Sequence, residues 1–163
     1  MRPANLLLTL LLAFPATAQE TPSFTPEDAE QMTACIADLS ETVPAGQNPP
    51  TDCVGAASNA CMENEEDGST TIGITRCMAR ETAWWDGQLN VHYASLEETL
   101  APELFATLRD AQRSWIDYRD ASCGFEYELW SAGTIRSTVF AGCMMNLTAQ
   151  RAQALERYAT RTP

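Results

Sequence analysis

Six cysteines downstream of an export leader constrain this chain more than any other feature. Cys35, Cys53, Cys61, Cys77, Cys123 and Cys143 all follow a stretch, Met1 to Ala18, that carries Arg2, an apolar run from Leu6 to Phe14 and a small-residue Ala16-Thr17-Ala18 site. That is the layout of a secretory signal peptide. An even set of cysteines sent to an oxidising compartment is read first as three disulfides. Zinc is the poorer reading, because the gaps between cysteines are wide and His92 is the only histidine, whereas thiolate zinc sites favour two-residue spacers. The apolar run is also shorter than the roughly twenty residues a permanent membrane helix needs. The mature chain would begin Gln19-Glu20-Thr21, with no cysteine there for attaching a lipid. These features predict a periplasmic or secreted protein with no membrane span and no lipid anchor.

Of the 163 residues, 145 follow residue 18, a length that suits one domain able to bury its own core. The charge then narrows the partner. The full chain has 10 basic and 22 acidic residues, a net charge of −12, and loss of Arg2 with the leader takes it to −13. Such a chain would repel a phosphate backbone, so nucleic acid is not expected as a partner. A basic protein is favoured electrostatically, although negative charge also serves solubility alone.

Residues 19–60 read mostly as loop, with Thr21-Pro22, Thr25-Pro26 and Pro44-Ala45-Gly46-Gln47-Asn48-Pro49-Pro50. Within them, Thr25-Pro26-Glu27-Asp28 has an N-cap, Pro at the first helical position and acids in the first turn, which opens a helix to about Glu41. Its apolar face is Ala29, Met32, Ile36 and Leu39. An acidic loop from Glu63 to Gly68 leads to Ser69-Thr70-Thr71, a natural helix start. A first long helix from Thr71 to about Leu100 follows from Trp85, Leu89, Tyr93, Leu96 and Leu100 at three- and four-residue steps. Pro102 opens a second, with the stripe Leu104, Leu108, Ala111, Trp115 and Tyr118 expected to be core against both neighbours; Gly124 marks its expected end. After an aromatic, acidic stretch from Phe125 to Gly133, a third long helix carries Ile135, Val139, Cys143, Leu147, Ala154 and Tyr158. Two hairpins in series would bring Cys77, Cys123 and Cys143 to one end of the bundle. Cys123–Cys143 is then the first choice of bridge, with Cys35–Cys53 local and Cys61 left for Cys77, while crossed pairings such as Cys77–Cys123 stay open. The predicted fold is all-α: a small disulfide-stapled bundle of three long helices with a shorter N-terminal helix and loops. Its parts are a signal peptide over 1–18, an N-terminal helix-and-loop extension over 19–56 and a helical domain over 57–163.

Two strings in this pattern are distinctive: Trp85-Asp86-Gly87-Gln88-Leu89-Asn90-Val91-His92-Tyr93, and Leu108-Arg109-Asp110-Ala111-Gln112-Arg113-Ser114-Trp115-Ile116-Asp117-Tyr118-Arg119-Asp120-Ala121-Ser122-Cys123. With Gly133-Thr134-Ile135, Cys143 and Leu147-Thr148-Ala149-Gln150-Arg151, they give residues 57 to 160 a resemblance to the LprI-type lysozyme inhibitor domain. The resemblance implies an exported helical domain that inhibits lysozyme. This chain departs from it in lacking the lipid-attachment cysteine of some members and in its extra N-terminal cysteine pair. The residues that carry the motif are Trp85, Asp86, Leu89, Asn90, Tyr93, Gln112, Arg113, Trp115, Tyr118, Arg119 and Asp120. Read physically, Arg109, Arg113 and Asp117 at four-residue steps can form an exposed ladder, and Arg119-Asp120 can brace the aromatic stretch or meet a partner.

Signatures of catalysis are missing. There is no Gly-x-Ser-x-Gly elbow, no His-Glu-x-x-His pair and no Cys-x-x-Cys pair, and the lone His92 is read as an edge-of-core or surface imidazole. No cofactor and no metal are expected. Two stretches are candidate docking surfaces: the acidic Glu63, Glu65, Glu66 and Asp67, and the alternation of aromatics and acids that includes Glu126, Tyr127, Glu128 and Trp130. Each also has a plainer reading, as a solvated loop and as a cap on the open end of the bundle. The predicted function is an exported, non-catalytic binding protein that docks lysozyme or another cationic cell-wall hydrolase. Two alternatives remain: a periplasmic interaction or stress-related module with another protein partner, and a carbohydrate-active enzyme built on a carboxylate pair.

Overall fold

The computed structural model describes residues 23–42 and 53–161; the expected signal peptide and the Pro44–Pro50 stretch lie outside the described residues. Five helices run in chain order, α1 (Pro26–Thr42), α2 (Ala56–Asn64), α3 (Thr71–Thr99), α4 (Pro102–Leu129) and α5 (Ile135–Arg161), with no strand among the described residues. The all-α disulfide-stapled bundle is therefore as predicted. No helix among the described residues is long and apolar enough to cross a membrane.

Helix α1 starts as its sequence dictates. The Asp28 amide donates to Thr25 Oγ1 at 3.2 Å while the Thr25 amide donates to Asp28 Oδ2 at 2.7 Å, a reciprocal cap that satisfies two free N–H groups. Its apolar face is also the expected one, with Met32 fully buried and Ala29, Ile36 and Leu39 packed on the core. Helix α2 was not foreseen, because residues up to 60 read as loop. It begins at Gly55, whose φ of 101° lies where a side chain would be strained. What holds it is Glu81 of α3, which has no exposed surface. Its carboxylate accepts from the Gly55 amide at 2.7 Å, the Ser58 amide at 2.8 Å and Trp85 Nε1 at 3.0 Å. An anion at a helix N-terminus meets both free N–H groups and the positive end of the dipole.

The three long helices form the frame. Helix α5 packs most extensively on α3 and next on α4, whereas α3 and α4 barely meet. Small residues on α5 (Ala149, Ala152) are buried in one cluster with Trp84, Trp85, Leu89 and Leu96 of α3, and Met145 and Leu155 complete that seam. The α3 stripe is the expected one. The α4 and α5 stripes are not. In α4, Tyr118 is 60% exposed and Leu104 and Ala111 are exposed as well, so they are not core. The covered strip runs instead through Leu108, Gln112, Trp115, Arg119 and Cys123, sharing only Leu108 and Trp115 with the expected one. With α5 as its only extensive neighbour, α4 has just a narrow strip covered, and steps of three and four place 112, 119 and 123 on it. In α5, Ile135 and Tyr158 are exposed and the buried positions are Ala141, Met145, Thr148, Ala149, Ala152, Gln153 and Leu155.

Helix α4 also runs on past Gly124 to Leu129, so this glycine is interior and not a C-cap. Covalent links tie the frame together: Cys35–Cys53, Cys61–Cys77 and Cys123–Cys143, with Cα separations of 5.8, 5.7 and 5.5 Å. This is the first-choice pairing from the hairpin geometry.

Candidate functional site

The start of α3, the end of α4 and the start of α5 share one end of the bundle, and the two predicted docking stretches both lie there. The acidic stretch is the link between α2 and α3, closed by Cys61–Cys77. Its turn is tight: Gly68 N donates to Glu65 O and Thr70 N to Asp67 O, and Thr70 Oγ1 accepts from Gly73 N at 3.0 Å. Gly73 is required here, since a Cβ on it would lie 2.0 Å from the Asp67 carbonyl oxygen.

Half of this acidity is already used. Arg76 meets both oxygens of Asp67 at 2.7 and 2.6 Å and also bonds Glu65, while Arg80 bonds Glu65 and grips Asp28 of α1 at 2.8 and 2.7 Å. Burial alone would raise the Asp28 carboxyl, but hydrogen bonds from Arg80 and Thr25 outweigh it and hold the group below the usual carboxylate range. Hydrogen bonding from Arg80 lowers Glu65 in the same way, and that from Arg76 lowers Asp67. Glu63 and Glu66 are exposed and enter no ion pair among the described residues. The network thus pins the loop and leaves two carboxylates for water or a partner.

Across from this loop lies the aromatic stretch, now the last turn of α4 and the corner into α5. Tyr127 is held inward, edge-on to Phe140 at 6.1 Å, with the Arg136 guanidinium 4.6 Å over its ring. Arg136 also donates to the Ser131 carbonyl at 2.9 Å. Ser131 has a φ of 44°, a left-handed conformation that a non-glycine residue keeps only when its surroundings impose it. Phe125, Leu129, Trp130 and Ile135 are exposed, as are Glu126 and Glu128. Opposite them Ile72, at the start of α3, is 77% exposed. A shallow cleft of about 600 Å³ separates the two sides, lined by Thr70, Thr71, Ile72 and Thr75 at the start of α3 and by Gly133, Thr134 and Arg136 at the corner.

The distinctive strings meet elsewhere, on the flank between α3 and α4. Asp86, Leu89, Asn90 and Tyr93 face Arg109, Gln112, Arg113, Trp115 and Arg119 across a groove of about 310 Å³. Trp115 lies between two guanidinium groups, Arg119 at 5.0 Å and Arg151 at 5.9 Å from its ring centroid, and Arg151 Nε donates to Gln112 Oε1 at 2.7 Å. Arg119 bonds its neighbour Asp120 at 2.9 Å rather than bracing the aromatic stretch. Arg113 pairs with Asp110 at 3.7 Å and not with Asp117, so the expected ladder is not formed. Trp85 is buried against Trp84 at 4.8 Å. Of the motif residues, Tyr118 and Asp120 are exposed and line neither this groove nor the core.

His92 sits beside a small pocket of about 140 Å³ with Gln88, Gln153 and Glu156. A group of Cys61, Glu65 and Cys77 has metal-ligand proximity, but both sulfurs are in one disulfide and offer no thiolate. Sequence reasoning missed Glu81 and Arg80, which assemble α1, α2 and α3. The only trace of either was the four-residue step from Glu81 to Trp85.

The chain is 27% identical over 173 aligned residues to an uncharacterised 17.7 kDa protein in the puhA 5′ region of Rhodobacter capsulatus, covering 98% of each. No solved structure matches it. Residues 61–155 match the family described as lysozyme inhibitor LprI. This span begins at the first cysteine of the Cys61–Cys77 bridge and contains all the residues of the α3–α4 groove, so the chain belongs to the LprI lysozyme inhibitor family.

Proposed function

We propose that this protein is an exported, non-catalytic inhibitor that docks a cationic cell-wall hydrolase of the lysozyme type through the acidic and aromatic end of its bundle. The observation that carries the reading is convergence. Two stretches more than fifty residues apart in sequence supply exposed carboxylates (Glu63, Glu66, Glu126, Glu128) and exposed apolar side chains (Ile72, Leu129, Trp130) to one end. Aromatic anchors within a charged rim suit a protein interface, and the rim steers a basic partner. Family membership points to the same activity. Three disulfides accord with an oxidising compartment.

The test is residual muramidase activity when purified protein is mixed with c-type and other lysozymes. Inhibition should weaken about tenfold or more in Trp130→Ala, as expected of a buried interface anchor, and should weaken with rising salt. Full lysozyme activity at excess protein would remove the inhibitor reading. Inhibition untouched by Trp130→Ala and by a Glu126→Lys/Glu128→Lys pair would move the interface away from this end.

A further inference from the structure

The opposite end of the bundle, where α3 ends, α4 begins and α5 finishes, holds a groove of about 470 Å³. Its volume is within the range of small-molecule sites, roughly 300–1,000 Å³. Four leucines line it: Leu96 is fully buried at its floor, Leu100 and Leu108 form the sides, and Leu104 stands 56% exposed at the edge. Among the described residues, the charged groups lining it are Arg151 and Arg161, with no carboxylate. In a chain with 22 acidic and 10 basic residues, a groove framed by two cations and no anion is a local reversal of sign.

Arg151 is the more telling of the two. Its Nε is occupied by Gln112, but its Nη2 is buried with no hydrogen-bond partner among the described residues. A buried charged donor without an acceptor is costly, and an acceptor arriving with a ligand removes that cost. On α5 the two arginines are ten residues apart, about 15 Å along the helix axis, with leucines of α3 and α4 facing the span between them.

We propose that this groove binds a single-chain anionic amphiphile of the fatty-acid type, its acyl chain along Leu96, Leu100, Leu104 and Leu108 and its carboxylate at the Arg151 guanidinium. The acyl chain gains by leaving water in proportion to its buried area. The carboxylate supplies the charge-assisted bond that the guanidinium lacks. The site lies at the other end from the proposed lysozyme interface and does not depend on it.

The experiment is calorimetric titration of the full protein with dodecanoate, dodecanol and dodecyltrimethylammonium, each below its micelle concentration. Dodecanoate should bind about tenfold or more tightly than dodecanol, the scale of one charge-assisted bond, and the cation should bind least. Leu104→Glu puts a carboxylate at the groove edge from an exposed position and should weaken dodecanoate at least tenfold with the helical circular dichroism unchanged; Arg151→Gln should erase the preference for dodecanoate over dodecanol. Equal affinity for dodecanoate and dodecanol, no binding of any of the three, or Leu104→Glu binding dodecanoate normally would overturn the proposal. So would a dimer in sedimentation that Leu104→Glu dissociates, since a second copy would then fill the groove.

Discussion

The two ends of this bundle are held by different physics. At the acidic end, two of the three disulfides and the Arg76–Arg80 network fasten segments whose side chains are largely exposed. At the leucine end the corner between α3 and α4 is two residues long, and Leu96 and Leu155 are fully buried. Where a surface keeps its apolar groups in water, burial cannot hold the backbone, and covalent or ionic links do so instead. The lesson is that the end rich in cross-links is the one whose exposed groups are free to meet a partner.

Substitutions that remove one kind of link and not the other separate the ends. The largest loss is expected from Glu81→Ala, which strands the amides of Gly55 and Ser58 and the Trp85 indole in the interior. The cost should be about 4 kcal/mol by denaturant unfolding, as for a broken buried network. Removing Cys123–Cys143 with a double Ser variant opens a link with a sequence separation of 20 and should cost about 3 kcal/mol in the chain-entropy model. Amide exchange should then quicken around Trp130 while the Leu100 corner stays protected; equal loss at both ends would break the distinction drawn above.

Next in size is Asp28→Asn, which leaves the largely buried Arg80 guanidinium without its strongest partner and should cost about 2 kcal/mol. Its pH dependence carries a definite sign. Because the folded Asp28 carboxyl lies below its ordinary 3.8, the stability it adds is complete above that value and disappears as pH falls through the lowered folded one. The gap between wild type and Asp28→Asn, measured by thermal melts, should therefore be constant from about pH 5 to 8 and should close below about 4. The smallest effect is expected for Arg113→Ala, whose pair with Asp110 is solvent-exposed and 3.7 Å long; it should change stability by less than about 0.5 kcal/mol.

The helical fold was legible because it follows from local rules, and the same rules made the observed cysteine pairing the first choice while leaving crossed pairings open. Thr25-Pro26, Thr70-Thr71 and Pro102 each begin a helix where their chemistry says, and the order of hairpins brings Cys123 to Cys143. The stripe on α3 was equally legible, since that helix is covered by the frame. The stripes on α4 and α5 were misjudged because periodicity gives the spacing of an apolar face but not how many neighbours it meets. Gly124 misled for a related reason: a glycine is a stop signal only where the helix has nothing further to gain, and Tyr127 packing on Phe140 extends α4 by another turn. The acidic and aromatic stretches were each recognisable as surface, yet nothing in either showed that Glu65 and Asp67 were committed to arginines.

Composition and spacing by themselves determined an all-helical, cross-linked and strongly acidic protein with two candidate docking stretches. The tertiary structure alone decided that Glu65 and Asp67 are committed to arginines, that α2 exists on the strength of a carboxylate 26 residues away from Gly55, and that the opposite end is a leucine groove framed by arginines. The division has a physical cause. Caps, turns and short disulfide loops are settled between neighbours in sequence, whereas a buried charge or a groove is settled by which distant surfaces exclude water together.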